Sequence, residues 1–203
     1  MSVPPLILAS ASPRRRDLLA TLGVDFRCHS ADIDESVRPS ETPQDYVRRM
    51  ANEKAAVIAG RHGAEGLAVL GADTTVVLDG DILGKPVNHS DALEILNRLS
   101  GRSHTVITAL CLQSQRGLCL RSVTTEVFFV ALRPEVCAAY LATDEPWDKA
   151  GSYAIQGLGG AFVREIRGSY SNVVGLPLAE TWELLHEYGI ATSLTPERAQ
   201  HCL

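Results

Sequence analysis

The spacing of hydrophobic residues near the start of the chain predicts a strand, a helix and a second strand. Leu6 to Ala9 is a short apolar run, which is typical of a buried strand. Ser12 and Pro13 predict the start of a helix, because serine caps helix N-termini and proline fits the first helical position. Gly23 predicts the end of this helix, and a second strand is expected over residues 26 to 30.

A longer amphipathic helix is predicted from about residue 43 to residue 59, after an acidic stretch that is expected to be a loop. Its apolar positions recur on one helix face and are Val47, Met50, Ala51, Ala55 and Ile58. Alternating Val, Thr and Phe residues then predict a hairpin with strands over about 104–113 and 118–132. The other predicted strands are 68–72, two short strands within 76–83, and 161–165; the other predicted helices are 90–99, 134–142 and 176–188.

Interspersed strands and helices, together with one antiparallel hairpin, predict an α/β fold with a mixed sheet. The sequence contains no internal repeat and no clear linker. Residues 1–203 are therefore predicted to form one elongated domain with two lobes and flanking helices. The tail from about residue 192 is expected to be loose.

The composition narrows the class of protein. Of the 203 residues, 45% are hydrophobic and 21% are charged, which is typical of a globular chain. The net charge is −5, because 24 acidic residues outnumber 19 lysines and arginines. This sign argues against stable nucleic-acid binding, and any polyanionic ligand would need a local basic pocket.

The cysteines and the apolar runs predict the cellular compartment of the protein. The five cysteines contain no C-x-x-C pair, which favours a reducing compartment over a zinc ribbon or a disulfide scaffold. No apolar run approaches the roughly 18 residues of a membrane span, and no signal peptide is indicated. We therefore expect a cytoplasmic protein that makes no contact with a membrane.

The segment from Ser10 to Arg16 combines hydroxyl groups with three arginines where the first strand passes into the first helix. Backbone N–H groups at a helix N-terminus, with such side chains, can bind phosphate. The alternative is an ordinary capped helix with solvated arginines. The spacing G-x-x-x-x-G-K-[ST] does not occur, so a P-loop nucleotide site is excluded.

Four charged residues are candidates for chemistry. Asp73 follows the predicted strand 68–72, at the kind of strand end where α/β sheets place ligands. It could hold a divalent metal, activate water or only cap a turn. Glu35 lies in the acidic loop and could equally be solvated. Lys54 could point into a cleft or snorkel from its helix, and Lys85 is held in a short loop by the proline that follows it.

A glycine-rich stretch from Gly151 to Gly160 is the third candidate region. Glycine lets a backbone approach a ligand closely, and Gln156 can offer a donor and an acceptor to the edge of a base. The alternative is a purely structural loop. The polar stretch 168–177 is expected mainly to support the structure, and the six histidines show no metal-site spacing.

Seven short blocks, in this order, resemble the Maf family of nucleoside triphosphate pyrophosphatases over about residues 6 to 190. The blocks are Leu8 to Arg15, Glu53-Lys54-Ala55, Gly71 to Thr74, Gly84-Lys85-Pro86, Leu99-Ser100-Gly101, Asp148 to Gly151 and Val174 to Pro177. The resemblance implies a fold similar to the inosine triphosphatase type, with a cleft between two lobes of a long mixed sheet. It also implies a hydrolase, dependent on Mg²⁺ or Mn²⁺, that releases pyrophosphate and a nucleoside monophosphate.

The resemblance assigns roles by position. Asp73 matches the proton acceptor of the family, and both Asp73 and Glu35 could hold the metal; which carboxylate does which stays open. Other active-site positions match Ser10, Arg15, Glu35, Lys54 and Lys85. The run from Gly151 to Gly157 looks like the branch that acts on dTTP and UTP. The specificity positions of that branch match Arg14, Thr74 and Gln156.

The implied role is removal of unwanted or modified nucleotides by a homodimer, as in relatives. One alternative is the same chemistry on another nucleotide, such as 7-methyl-GTP. Another is a nucleotide-binding regulator that acts through a cell-division partner, since the family is associated with inhibition of septum formation. A nucleic-acid-binding module is a weaker alternative, because the chain is acidic and has no aromatic-basic stripe.

Overall fold

Seven strands of the computed structural model, which describes residues 6–62 and 66–196, form one mixed sheet. The strands are β1 Leu6–Ala9, β2 Phe26–Cys28, β3 Ala68–Leu78, β4 Asp81–Leu83, β5 Ser103–Ser114, β6 Gly117–Phe129 and β7 Val163–Arg167. Their order across the sheet is β2-β1-β3-β5-β6-β7, with β4 paired to β3. β1 is parallel to β2 and β3, and the other neighbours are antiparallel. The predicted mixed α/β fold is confirmed.

The helices flank this sheet at nearly the predicted positions. They are α1 Pro13–Thr21, α2 Pro43–His62, α3 His89–Leu99, α4 Pro134–Leu141, α5 Tyr170–Val174 and α6 Leu178–Glu187, with 3₁₀ turns at Ala150–Ser152 and Leu158–Phe162. The short helix α5 was not predicted; the Ser169 side chain caps its N-terminus by accepting a hydrogen bond from the Asn172 N–H. No described helix is long and apolar enough to cross a membrane.

Strand β3 differs from the prediction at the position that matters most for the site. The sequence predicts that a strand ends before Asp73, but β3 continues without a break to Leu78. The neighbouring strands stop instead: pairing with β1 ends at Gly71, and pairing with β4 begins only at Val76. This edge of β3 is therefore uncovered over residues 72–75. The polar residues Asp73 and Thr74 lie at a gap between neighbouring strands, and not at a strand end.

Alternate side chains of β3 face opposite sides of the sheet, and they enter different hydrophobic clusters. Val69 packs on the face covered by α2. On the other face, Leu70 belongs to a cluster with residues of α1 and α6, whereas Val76 belongs to a cluster with residues of α3 and α4. These two clusters correspond to the two predicted lobes. Thr74 lies between them, on the strand that both lobes share.

The start of the predicted loose tail is attached to the lobe that contains Leu70, α1 and α6. Thr192 is buried, and the Ser193 N–H donates to the Leu22 carbonyl at 2.9 Å. The rest of that tail, from residue 197, lies outside the described residues. The four cysteines within the described residues form no disulfide; they are Cys28, Cys111, Cys119 and Cys137.

Candidate active site

A cleft of about 640 Å³ opens at the uncovered edge of β3. Because β1 and β4 approach this gap from opposite ends, the loops that follow them, at Ser10 and at Gly84-Lys85, both line it. The glycine-rich segment and the turn at Gly175 complete the walls. All nine residues singled out from the sequence line this one cleft: Ser10, Arg14, Arg15, Glu35, Lys54, Asp73, Thr74, Lys85 and Gln156.

The floor of the cleft is a lysine that joins two carboxylates. Lys54 Nζ lies 2.7 Å from Asp73 Oδ1 and 2.6 Å from Glu35 Oε1. Lys54 and Asp73 are both buried, so Lys54 does not snorkel to solvent but points into the cleft. Gly71 makes this possible, because a Cβ there would lie 2.2 Å from the Ala51 carbonyl of α2. The absence of a side chain lets the helix carrying Lys54 lie directly against β3.

Glu35 lies in the predicted acidic loop, and helix α2 holds that loop in place. The Tyr46 hydroxyl donates to the Glu35 carbonyl at 3.0 Å, and Arg49 Nη2 donates to the Ser36 carbonyl at 2.9 Å. Arg49 also makes a two-pronged contact with Glu41, at 2.5 and 2.7 Å. Tyr46 lines the cleft, whereas Arg49 lies behind the loop. Neither residue was singled out from the sequence.

The charges around the floor keep Glu35 ionised. Burial acts to raise the pKa of Glu35, but the hydrogen bond and charge of Lys54, with the charges of Lys85 and Arg15, lower that pKa below its ordinary value. Tyr46 responds in the opposite sense. Burial and the carboxylates Asp73 and Glu35 raise the pKa of Tyr46 to about 12, so its hydroxyl remains a donor at neutral pH.

Arg15 organises the opposite wall. Its Nε donates to the Gly175 carbonyl at 2.9 Å, its Nη2 to Thr74 Oγ1 at 3.1 Å and its Nη1 to Ser10 Oγ at 3.4 Å. Thr74 Oγ1 also lies 2.9 Å from Thr108 Oγ1, and the Thr108 hydroxyl lies 3.0 Å from the Asn172 carbonyl. Thr74 thus connects Arg15 to the buried centre of the sheet.

The helix start was correctly predicted, since the Ser12 side chain accepts from the Arg15 N–H at 3.4 Å at the N-terminus of α1. Arg14, one residue earlier, reaches across the cleft to Asp148, with Nη1 3.2 Å from Oδ2. Lys149 contacts the same carboxylate and also donates to the Glu145 carbonyl at 2.7 Å. The sequence analysis named Asp148 and Lys149 only within the block Asp148 to Gly151, and that block was the one indication that they belong to the site.

Gln156 lies on the wall formed by the glycine-rich segment and is exposed to solvent. The loop before it is held from behind: His104 Nε2 lies 2.8 Å from the Tyr153 hydroxyl, and the Ala154 N–H donates to the Tyr140 hydroxyl at 3.2 Å. His104 is buried and stacks edge-on against Phe129. Burial lowers the pKa of His104 to about 4, so the imidazole is neutral at physiological pH.

The donor set at the floor consists of carboxylate oxygens, which suit hard divalent cations such as Mg²⁺ and Mn²⁺. No group of three or more His, Cys, Asp or Glu side chains suited to a metal occurs within the described residues. Asp73 and Glu35 supply two carboxylates on one side of the cleft. Mg²⁺ is usually held by one or two carboxylates, with phosphate oxygens and water as the remaining ligands.

Known proteins resemble this chain over most of its length. Residues 5–188 match the family model described as Maf-like protein. A dTTP/UTP pyrophosphatase from Hahella chejuensis is 53% identical over 186 residues, which cover 91% of this chain and 92% of that protein. A dTTP/UTP pyrophosphatase from Escherichia coli K12 is 48% identical over 196 residues, which cover 97% and 98%.

Among solved structures, this chain is similar to one from Mycobacterium abscessus, described as a nucleoside-triphosphatase / dITP/XTP pyrophosphatase. The two share 15% sequence identity with a TM-score of 0.44, over 91% of this chain and 97% of the other. A second similar structure is the Staphylococcus aureus Ham1 protein, with 13% identity and a TM-score of 0.40 over 62% of this chain and 71% of that one.

Proposed function

This chain belongs to the Maf family, and from that membership we propose that it hydrolyses dTTP and UTP to the monophosphate and pyrophosphate. The names of relatives that are about half identical over nearly the whole chain support this activity. The observation that carries the proposal is the floor of the cleft. There, Lys54 holds Asp73 and Glu35 together, below walls that carry arginine and lysine side chains.

The cations of the cleft suit a triphosphate. The chain is acidic as a whole, yet Arg14, Arg15, Lys85 and Lys149 all line this one cavity. Guanidinium and ammonium groups donate charge-assisted hydrogen bonds to phosphate oxygens. As the bond from the α-phosphorus to the bridging oxygen breaks, negative charge grows on the leaving pyrophosphate. The same cations stabilise that charge and so favour its departure.

Asp73 is the proposed proton acceptor. A water attacks the α-phosphorus, its oxygen forms the new bond to phosphorus, and its proton passes to the Asp73 carboxylate. Lys54 orients this carboxylate, because its ammonium group lies 2.7 Å from Asp73 Oδ1. Glu35 is held by the same ammonium group, so the two carboxylates act as one unit.

Asp73 and Glu35 are also the residues that would hold a divalent cation, Mg²⁺ or Mn²⁺. When bound, such an ion would neutralise phosphate charge and lower the pKa of a coordinated water. Both carboxylates face the cleft beside Lys54, which lies 2.7 Å from Asp73 Oδ1 and 2.6 Å from Glu35 Oε1.

The base is the proposed partner of Gln156, whose amide can donate and accept at the edge of a uracil or thymine ring. The thymine base differs from the uracil base by one methyl group, which is worth only about 1–3 kcal/mol in an apolar pocket. A site that accepts both is therefore expected. Arg14 and Thr74 are the other proposed selectivity residues; Thr74 acts through Arg15, which it contacts at 3.1 Å.

The decisive experiment measures pyrophosphate release from dTTP, UTP, CTP, ATP, GTP and 7-methyl-GTP, with Mg²⁺ or Mn²⁺. We expect turnover of dTTP and UTP by the wild type and its loss in Asp73→Asn. The matched control is Asp79→Asn, since Asp79 is an exposed aspartate that pairs with Arg102. Preference for another nucleotide would move the protein to another branch, and no turnover by folded protein with metal would reject the enzyme.

We also propose that residues 1–203 form one domain that works as a homodimer in the cytoplasm, removing unwanted nucleotides. Light scattering at micromolar concentration tests the dimer, and a single mass of one chain would reject it. A partner in cell division remains part of this proposal. A septum phenotype that persists with Asp73→Asn would assign that role to binding and not to catalysis.

A further inference from the structure

A tyrosine and a glutamate lie behind the glycine-rich wall of the cleft. The Tyr140 hydroxyl, at the end of α4, donates to Glu145 Oε1 at 2.8 Å and accepts from the Ala154 N–H at 3.2 Å. The Glu145 carboxylate also accepts from the Leu158 N–H at 2.8 Å and the Gly159 N–H at 2.9 Å. Two side chains therefore hold three backbone N–H groups of one loop.

These three contacts lie on both sides of Gln156 along the chain. Ala154 and Leu158 lie two residues before and two residues after Gln156, so the backbone on both sides of this glutamine is attached to the same pair. Neither Tyr140 nor Glu145 lines the cleft. They have no direct contact to offer a nucleotide there, and any influence on it has to pass through the loop.

Glycines make the close approach possible. A Cβ at Gly157 would lie 2.1 Å from Glu145 Oε2, and a Cβ at Gly159 would lie 2.9 Å from the Tyr140 hydroxyl. No side chain fits beside the carboxylate at Gly157 or beside the tyrosine hydroxyl at Gly159. Gly157 is thus required by Glu145, and Gly159 in part by Tyr140, and not only by a ligand.

We infer that Tyr140 and Glu145 are positioning residues that determine nucleotide selectivity by fixing the backbone that presents Gln156. This inference rests on the proposed function, in which Gln156 contacts the base.

The charge of Glu145 strengthens this attachment. Burial acts to raise the pKa of Glu145, but its hydrogen bonds from Gly159, Leu158 and Tyr140, with the charge of Lys149, lower that pKa. The group is therefore an ionised acceptor at neutral pH, and hydrogen bonds to an ionised acceptor are the stronger kind. Burial and Glu145 raise the pKa of Tyr140, which remains a donor.

The test compares Glu145→Gln and Tyr140→Phe with the wild type by kcat and KM for dTTP, UTP, CTP and GTP. A glutamine at 145 keeps the size but directs an NH₂ group at backbone donors, which leaves an N–H unsatisfied. We expect about a 10-fold rise in KM for dTTP and UTP, with smaller changes for CTP and GTP and nearly constant kcat. The control is Glu183→Gln, an exposed glutamate of α6 that pairs with Arg121.

Combination with Gln156→Ala separates this inference from the proposed function. If the loop acts through Gln156, adding Glu145→Gln to Gln156→Ala changes the selectivity little further. Selectivity that is altered by Gln156→Ala but not by Glu145→Gln or Tyr140→Phe overturns the positioning role alone. Selectivity that is unaltered by Gln156→Ala overturns the base site and the positioning role together. An equal fall in kcat for all nucleotides, with a lower Tm, would show that Tyr140 and Glu145 only stabilise the structure and would overturn their role in selectivity.

Discussion

The carboxylate floor and the glycine-rich wall of the same cleft hold their functional groups in different ways. At the floor, Lys54 comes from the long helix α2 and Asp73 from the middle of β3, and both side chains are buried. At the wall, Gln156 comes from a loop between two short 3₁₀ turns and is exposed. Side chains behind the loop, and not a strand or helix, fix its backbone.

This difference separates two tasks. Bond cleavage needs reacting groups held in one geometry, which the packing of α2 against β3 provides for Lys54 and Asp73. Choice of base needs a surface that can be altered without disturbing that geometry, and loops on a rigid scaffold are suited to this. Changes at the floor should therefore affect all nucleotides equally, whereas changes at the wall should affect one nucleotide more than another.

The largest effect is expected for Lys54→Met. Without the ammonium group, Asp73 and Glu35 lose the cation that joins them, and we expect kcat to fall about 10³-fold for every nucleotide. The buried Asp73 also loses its partner, which lowers stability. Steady-state pyrophosphate release and thermal unfolding measure both effects. As a control, Lys54→Met with Asp73→Asn should recover stability but not turnover. A loss confined to some nucleotides would break the distinction between floor and wall.

The next largest effect is expected for Arg49→Ala. Arg49 holds the backbone next to Glu35 through the Ser36 carbonyl, so its loss displaces Glu35 without removing it. A misplacement of about 1 Å can cost about 10²-fold in rate, and we expect a fall in kcat of that order for all nucleotides. The control is Arg121→Ala, an arginine that bridges Glu183 and Glu187 away from the cleft.

A double-mutant cycle of Arg49→Ala and Glu35→Gln shows whether Arg49 acts through Glu35. Adding Arg49→Ala to Glu35→Gln should cause little further loss of kcat, because the group that it positions has already been replaced. Fully additive losses would contradict this route.

A smaller and less uniform effect is expected for Arg14→Ala. The ion pair of Arg14 with Asp148 is partly exposed and adds little stability by itself. We expect about a 10-fold rise in KM, of different size for different nucleotides, with little change in Tm. The neighbouring Arg16→Ala is the control, because Arg16 is exposed and pairs only with Asp17 among the described ion pairs. Equal changes for every nucleotide would remove Arg14 from the selectivity residues.

The smallest effect at neutral pH concerns His104 behind the wall. Its pKa is lowered to about 4 by burial, whereas an unfolded histidine titrates near 6.5. The unfolded state therefore binds more protons below pH 6.5, and stability falls as the pH decreases towards about 4, by about 3 kcal/mol in total. Unfolding midpoints between pH 8 and pH 4 should fall less steeply in His104→Gln. Parallel pH profiles would show that His104 is not the group responsible.

Local pattern was sufficient for most elements. Ser12 and Pro13 predicted the start of α1, and the apolar positions of α2 are all buried as expected, for example Val47 and Ile58. The polar residues after Ala72 were wrongly interpreted as a strand end. Their polarity reflects a gap between β1 and β4, which are far apart in the sequence, and local pattern carries no information about such pairing.

The supporting residues were missed for a related reason. Tyr46, Arg49, Tyr140 and Glu145 stand in or beside ordinary helices, and nothing in their spacing indicates a function. Their contacts reach backbone groups of loops, such as the Ser36 carbonyl and the Gly159 N–H. Backbone groups are the same in every residue, so the sequence cannot show which of them a side chain will reach.

The sequence by itself determined the order of strands and helices, the glycines that permit close approach, and the family to which the chain belongs. Only the tertiary structure decided that Glu35, Lys54 and Asp73 meet, since that contact requires α2 to lie against β3 at Gly71. It also decided that Tyr140 and Glu145 support the wall behind Gln156. The physical reason is that element choice depends on neighbours along the chain, whereas a site depends on packing between distant elements.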